Sequence, residues 1–349
     1  MKRGHPNRPL LVSHFRQHLT ESGWPASPIK NNDEATTLIR CSHRAMATTF
    51  EIVTPWKDDA GRWSQCLFQL IDDLESQLTV YHDESDVSVI NRTAHEQSVH
   101  VEPGLFGLLE QSARLSRETW GAFDVTMGPL IRAWGFWNRQ GRMPSPQERQ
   151  RAWERVGMHR VHLDPNQRTI RFNTSGVEIN LGSIGKGYAI DRCFDLMRSL
   201  GVRPILMHAG GSSVRVWGDQ PGGRGWKIGI RHPWQNDRRV ATVTLRQRAL
   251  ATSAATHQHF EYNRRKLGHI LDPRTGRPAE GVASATAVAP TAAEADALAT
   301  AFYVLGEERT RLYCSQHPEV GAIILKEGND SPAVINLADA DIEFNPPQL

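Results

Sequence analysis

The sequence predicts an α+β fold of mixed sheets with packed helices, and three observations lead there. Helical and strand periodicities both recur along the 349 residues, but they do not alternate as strict βαβ units, which argues against a doubly wound sheet. Leu67, Leu70, Ile71, Leu74 and Leu78 make an i, i+3, i+4, i+7, i+11 stripe, the mark of one amphipathic helix. Beyond Ile205 short apolar runs dominate, so the second half is rich in strands.

The elements follow in order. Residues 1–40 are rich in His, Pro, Asn, Arg and Ser and read as an N-terminal extension ordered only in parts. The folded domain is expected over 41–326, with a C-terminal tail over 327–349. Thr48–Val53 reads as a strand, followed by the striped helix, which the polar loop Tyr81–Asp86 ends. Leu105, Leu108 and Leu109 belong to a second helix that stops before Gly121. Residues 121–135 (GAFDVTMGPLIRAWG) carry too much Gly, Pro and aromatic for a plain helix, and 140–148 read as a polar connector. Val161–Leu163 and Thr169–Phe172 flank Asp164-Pro165-Asn166, a hairpin signal. Val177–Leu181 reads as a strand leading into a glycine loop. A helix with Ile190, Phe194 and Met197 on one face comes next and is stopped by Gly201. Strands are expected at Ile205–His208, Val214–Trp217, Trp226–Ile230, Val240–Leu245 and Val282–Ala289, then a helix over 294–306 and a strand at Ala322–Leu325.

Composition narrows the function. With 39% hydrophobic and 23% charged residues most of the chain should fold, and a net charge of +3 is too small to argue for a nucleic-acid or membrane partner. The basic runs Arg238-Arg239 and Arg264-Arg265-Lys266 have no accompanying aromatic stripe. Cys41, Cys66, Cys193 and Cys314 are scattered without a CxxC pair, which argues against zinc and iron–sulfur sites and demands no disulfide. No stretch is long and apolar enough for a transmembrane segment. The basic N-terminus lacks an apolar h-region and a cleavage site, so a cytoplasmic location is expected. A native N-terminus different from this one would redirect that expectation to a periplasmic or membrane-anchored location.

Four stretches carry chemistry. In the 294–306 helix, Leu298, Phe302 and Leu305 share one face and Asp296 and Thr300 the opposite one. A carboxylate and a hydroxyl one turn apart are hard oxygen donors of the kind Mg²⁺ or Ca²⁺ takes, although an Asp near a helix start also simply suits the dipole. Residues 180–187 (NLGSIGKG) form a glycine loop at a helix start, where backbone N–H groups and Lys186 suit an anion, or else a tight turn with a surface lysine. This loop is not a P-loop, because Asn180 and Gly187 occupy the positions of the first glycine and the Ser/Thr. Residues 268–276 (GHILDPRTG) place His269 before a Pro-containing turn, where an imidazole suits either proton abstraction or a structural role. Asp124 lies beside Phe123 in a glycine-flanked turn, and His208-Ala209-Gly210-Gly211-Ser212-Ser213 (HAGGSS) makes a second exposed-backbone turn after a strand.

Taken in order, these stretches resemble the ApbE-type FAD:protein FMN transferases. The resemblance runs through MATTF at 46–50, ESQLTVY at 75–81, AFDVT at 122–126, GSIGKG at 182–187, the double-glycine turn, Ala251-Thr252-Ser253, HILDPRTG and ADALAT at 295–300. It implies an ApbE-like, T-fold-related α+β domain that uses Mg²⁺ and takes FAD as substrate. The implied reaction moves FMN onto a Ser or Thr hydroxyl of a flavin-accepting target protein and releases AMP. It places flavin contacts at Met46, Tyr81, Ala122, Phe123, Asp124, Asn180, Lys186 and Ile270. It places metal ligands at Asp296, Thr300 and the Ser183 carbonyl, and the base at His269. The chemistry of these residue types agrees: hydroxyl attack on a pyrophosphate needs cationic neutralisation and a base.

The chain departs from the family pattern at three places. Asn180 stands for the usual Asp, Ala47 for a glycine, and Thr252-Ser253-Ala254-Ala255-Thr256 lacks the usual glycine and aromatic. Two rival readings share the site: an FAD pyrophosphatase that uses water as acceptor, and a non-catalytic FAD-binding protein, which would need no base.

Overall fold

A computed structural model describes residues 27–29, 38–55, 60–235, 237–255, 259–263 and 265–344. Among these, nine strands form the main sheet, and their order in space is their order in the chain. They are β1 (Ser27–Ile29), β2 (Leu38–Ala45), β3 (Thr48–Pro55), β4 (Ile205–Ala209), β5 (Ser213–Trp217), β6 (Ala249–Ala254), β7 (Val282–Ala289), β8 (Gly321–Lys326) and β9 (Ala333–Ile335). Each neighbouring pair is antiparallel. The sheet is therefore a meander, and the other described elements are excursions between adjacent strands, apart from a short segment after β9.

The longest excursion, between β3 and β4, carries α1 (Ala60–Leu78), α2 (Asp86–Thr93), α3 (Pro103–Glu118), α4 (Gly128–Ala133), α5 (Pro146–Trp153) and α6 (Gly185–Ser199). Between β5 and β6 lie strands Trp226–Arg231 and Arg239–Leu245, which pair with each other and, through the second, with Ile342–Phe344. Between β6 and β7 lies the hairpin His259–Tyr262/Arg265–Gly268, and between β7 and β8 lies α7 (Ala292–Gln316). The segments read as extension and tail thus contribute β1, β9 and the strand Ile342–Phe344.

Strand alternation divides the apolar side chains between two cores. In β8, Ala322 and Ile324 join the core that holds the α1 stripe, whereas Ile323 and Leu325 join the core shared with Trp226, Val243 and Leu245 of the small sheet. The main sheet is consequently sandwiched, with helices on one face and a three-stranded sheet on the other. A third cluster around Trp134, Phe136 and Leu267 ties α4 and α5 to the hairpin.

The structure corrects several expectations. Val177–Leu181 is not a strand. The Ile179 backbone is instead bonded on both sides by the Asn91 side chain, at 2.7 and 2.9 Å. Asn180 N–H donates to the Val125 carbonyl, leaving only one parallel bridge, Met127 to Glu178. The polar connector at 140–148 contains the start of α5, capped where Ser145 accepts from the Glu148 N–H, with Pro146 in the first turn.

The helix expected over 294–306 runs from Ala292 to Gln316, with its geometry broken at Gly306 (φ 70°, ψ −177°), a conformation open essentially to glycine alone. Nor is its polar side solvent-facing. Positions 292–299 are all buried, and Asp296 is 6% exposed. The small residues at 292, 293, 295, 297 and 299 let α7 lie close against β7, which is itself buried at every position.

Candidate functional site

A cavity of about 1130 Å³ opens where α7, the start of α6 and the ends of several sheet strands converge. Its wall includes all twelve residues singled out from the sequence. Met46 comes from the β2–β3 turn, Tyr81 from the loop after α1, and Ala122, Phe123 and Asp124 from the segment before α4. Asn180, Ser183 and Lys186 come from the glycine loop, His269 and Ile270 from the turn after the hairpin, and Asp296 and Thr300 from α7. Segments up to 254 positions apart (46 to 300) thus meet at one place.

Asp296 is the electrostatic centre. Its Oδ1 accepts from Ser213 Oγ at 2.5 Å, and its Oδ2 accepts from the Gly187 N–H at 2.8 Å. The Lys186 ammonium lies 4.0 Å from Oδ2. Burial pushes this carboxyl above the usual range, while Lys186, the Ser213 hydroxyl and the Gly187 amide oppose the shift. The α6 N-terminus has no side-chain cap of its own, so the Asp296 carboxylate does that service from another helix. One turn on, Thr300 Oγ1 lies 3.2 Å from Ser253 Oγ and 3.3 Å from the Asp296 carbonyl.

Close approach makes this possible. A Cβ on Gly187 would lie 2.1 Å from the Ala292 carbonyl oxygen, so only glycine lets α6 and α7 meet here. Asp191, one turn further along α6, accepts from the Ala292 and Ala293 N–H groups at 2.9 Å each and pairs with Arg215 at 2.5 Å. Burial pushes the Asp191 carboxyl up to about 6 against the pull of Arg215 and those amides.

The remaining residues divide by what their polar atoms do. Asp124 is buried, and its oxygens accept from the Thr126 N–H and hydroxyl and from the Met158 N–H, so its carboxylate braces the cavity wall. Asn180 Oδ1 accepts from the Gly182 N–H at 2.9 Å and shapes the glycine loop. A carboxylate could accept the same bond, so Asn in place of Asp keeps the turn and removes only a charge. His269 presents its ring edge-on to Phe136, with centroids 6.3 Å apart.

Sequence reasoning missed the residues that hold the His269 turn. Trp134 Nε1 donates to the Gly276 carbonyl at 2.9 Å, and Trp153 Nε1 donates to the Pro273 carbonyl at 2.8 Å. Arg274 clasps Asp272 with two bonds of 2.9 and 2.8 Å. It also missed Ser213, although the HAGGSS turn had been marked, and Trp137 and Arg139 at the cavity mouth. Among the described residues no group of three or more His, Cys, Asp or Glu side chains is placed to hold a metal. No helix among them is long and apolar enough to cross a membrane.

The meander sheet, its helical excursions and the cavity between them define an α+β protein whose site is assembled from segments between residues 46 and 300. Residues 46–324 match the ApbE family model, and the chain belongs to the ApbE family. A FAD:protein FMN transferase of Haemophilus influenzae is 29% identical over 290 residues, covering 78% of this chain and 82% of the relative. The protein of the same name from Escherichia coli K12 is 29% identical over 258 residues, covering 72% and 73%. Among solved structures, the ApbE protein of Thermotoga maritima superposes with a TM-score of 0.78 at 29% identity, covering 85% of this chain and 97% of that one. The flavin transferase ApbE of Vibrio cholerae gives 0.76 at 25% identity, covering 89% and 98%.

Proposed function

We propose that this protein is an Mg²⁺-dependent FAD:protein FMN transferase that attaches FMN to a Ser or Thr hydroxyl of a target protein and releases AMP. The observation that carries the reading is the convergence of all twelve motif residues on one cavity. The names of the relatives support it.

In this reading the acceptor oxygen attacks the FMN-side phosphorus of FAD. The new bond is the protein–FMN phosphoester, the bond that breaks is the pyrophosphate bridge, and AMP leaves with the bridging oxygen. The hydroxyl proton passes to a ring nitrogen of His269. Lys186 and the amide-rich start of α6 draw the phosphates inward. The buried Ala122, Phe123 and Ile270 walls exclude water from the flavin end, and Met46 and Tyr81 line the cavity from the β2–β3 turn and from the loop after α1.

The residues present fit Mg²⁺. Asp296 accepts one bond at each carboxylate oxygen and so keeps lone pairs for a cation. Its burial makes a counter-charge favourable, and Thr300 Oγ1 and the Ser183 carbonyl are further hard oxygen donors. Bound there, Mg²⁺ would neutralise charge developing on the pyrophosphate.

The test is to incubate the protein with FAD and Mg²⁺, with and without a flavin-accepting domain, and to follow AMP, free FMN and acceptor mass. An acceptor heavier by one FMN, with matching AMP, is the expected result. AMP with free FMN and an unmodified acceptor would make the protein a pyrophosphatase instead, and intact bound FAD would leave only a flavin binder.

A further inference from the structure

The cavity mouth carries an aromatic pair whose second member matches none of the motifs above. Tyr81 is 63% exposed, and its ring meets that of Trp137 with centroids 4.9 Å apart and planes inclined by 50°. Both line the cavity. Trp137 sits in a three-residue 3-10 turn, Phe136–Asn138, bracketed by left-handed Gly135 and Arg139, so the turn is short and sharply defined. The Arg132 guanidinium lies 3.5 Å from the centre of the Trp137 ring, and Arg132 Nε is held by Glu178 at 2.6 Å. The indole is therefore braced from one side by a cation anchored two residues from Asn180.

Large aromatic surfaces at the mouth of a cavity are costly to leave in water and are well suited to a flat heteroaromatic partner. On the transferase reading above, that partner is a ring of the dinucleotide. We propose that Trp137, braced by Arg132, joins Tyr81 as an aromatic rim that seats a flat ring of FAD and sets the affinity for it. Trp137 acts on binding, since its indole carries only an N–H donor and no acid, base or nucleophile for the transferred phosphoryl. The isoalloxazine and the adenine are the two rings that could occupy it, and separate nucleotides distinguish them.

The experiment compares wild type with Trp137→Ala, Trp137→Phe and Arg132→Gln, measuring FAD binding by flavin fluorescence, and FMN and AMP binding by competition. Trp137→Ala should weaken FAD by about tenfold, Trp137→Phe by no more than about twofold, and Arg132→Gln by about threefold. KM for FAD should rise with these losses while kcat stays within about twofold, a split that a merely structural defect would not give. Weakened FMN with unchanged AMP assigns the rim to the isoalloxazine, and the reverse assigns it to the adenine. Unchanged FAD affinity in Trp137→Ala overturns the proposal; if that variant fails to fold, unchanged affinity in Arg132→Gln does so. Wild type that binds FAD but modifies no acceptor would overturn the transferase reading and leave the rim standing. Wild type that binds no FAD would overturn both.

Discussion

At the residue scale, His269 carries the strongest prediction. His269→Ala should bind FAD within about twofold of wild type while AMP release falls by about a hundredfold or more. Full turnover in that variant would remove His269 as the base. A second residue is strained. Met46 and Ala47 both have positive φ (48° and 58°) in the two-residue turn that joins β2 to β3. Two left-handed residues in such a turn favour glycine, and an L side chain there costs about 1 kcal/mol. Ala47→Gly should therefore raise stability by about 0.5–1 kcal/mol, read as a higher denaturation midpoint; a lower midpoint would refute the strain. His208 gives a pH dependence. It lies 3.1 Å from Glu51, yet burial, with Arg40 and Arg231 nearby, holds its imidazole below the ordinary value of 6.5. The unfolded chain then binds the proton more readily, so stability present above pH 6.5 is lost as pH falls through that value. Melting from about pH 8 to about pH 5.5 should drop more steeply for wild type than for His208→Gln, and parallel slopes would refute the assignment. The twelve candidate residues that line the cavity could be picked out because they stand in ordered motifs. Ser213, Trp134 and Trp153 were not, because a bond to a remote carboxylate or carbonyl leaves no periodic trace in the sequence.

At the element scale, the junction of α6 with α7 determines where the cation, the carboxylate and the glycine loop sit. Gly187→Ala would drive a methyl group into the Ala292 carbonyl and the Ala293 nitrogen, 2.1 and 2.6 Å away. We expect a loss of about 1–3 kcal/mol in chemical denaturation and, on the proposed Mg²⁺-dependent function, a fall in Mg²⁺ affinity as Asp296 is displaced. Wild-type values for both would mean that the two helices can separate without disturbing the site. Both helices were legible in outline from apolar spacing and from Gly201. The burial of the first half of α7 around its circumference was not legible, because alanines at 293, 295, 297, 299 and 301 mark no one face. The false strand at 177–181 failed for a related reason. An apolar alternating run identifies an extended chain, but not whether its partner is another strand or the amide of Asn91.

At the scale of the whole molecule, the α+β class followed from the mixture of periodicities. The meander order did not, because the excursions between neighbouring strands range from the two-residue turn between β2 and β3 to the long helical insertion between β3 and β4. The closing strands are part of that architecture. Removing residues 332–349 would strip β9 from β8 and Ile342–Phe344 from the small sheet. It should lower the denaturation midpoint and expose the edge of β8, giving association visible in light scattering; a monodisperse fragment of full stability would show the strands to be dispensable. The position of α7 late in the chain has a consequence for biosynthesis. A nascent chain presents the aromatic rim and the glycine loop long before residues 292–316 leave the ribosome, and the unfilled groove against β7 cannot close until they do. A ligand that needs a cavity lined from Met46 to Thr300 can stabilise the domain only once α7 is in place, so flavin capture by a growing chain would report that α7 has left the ribosome.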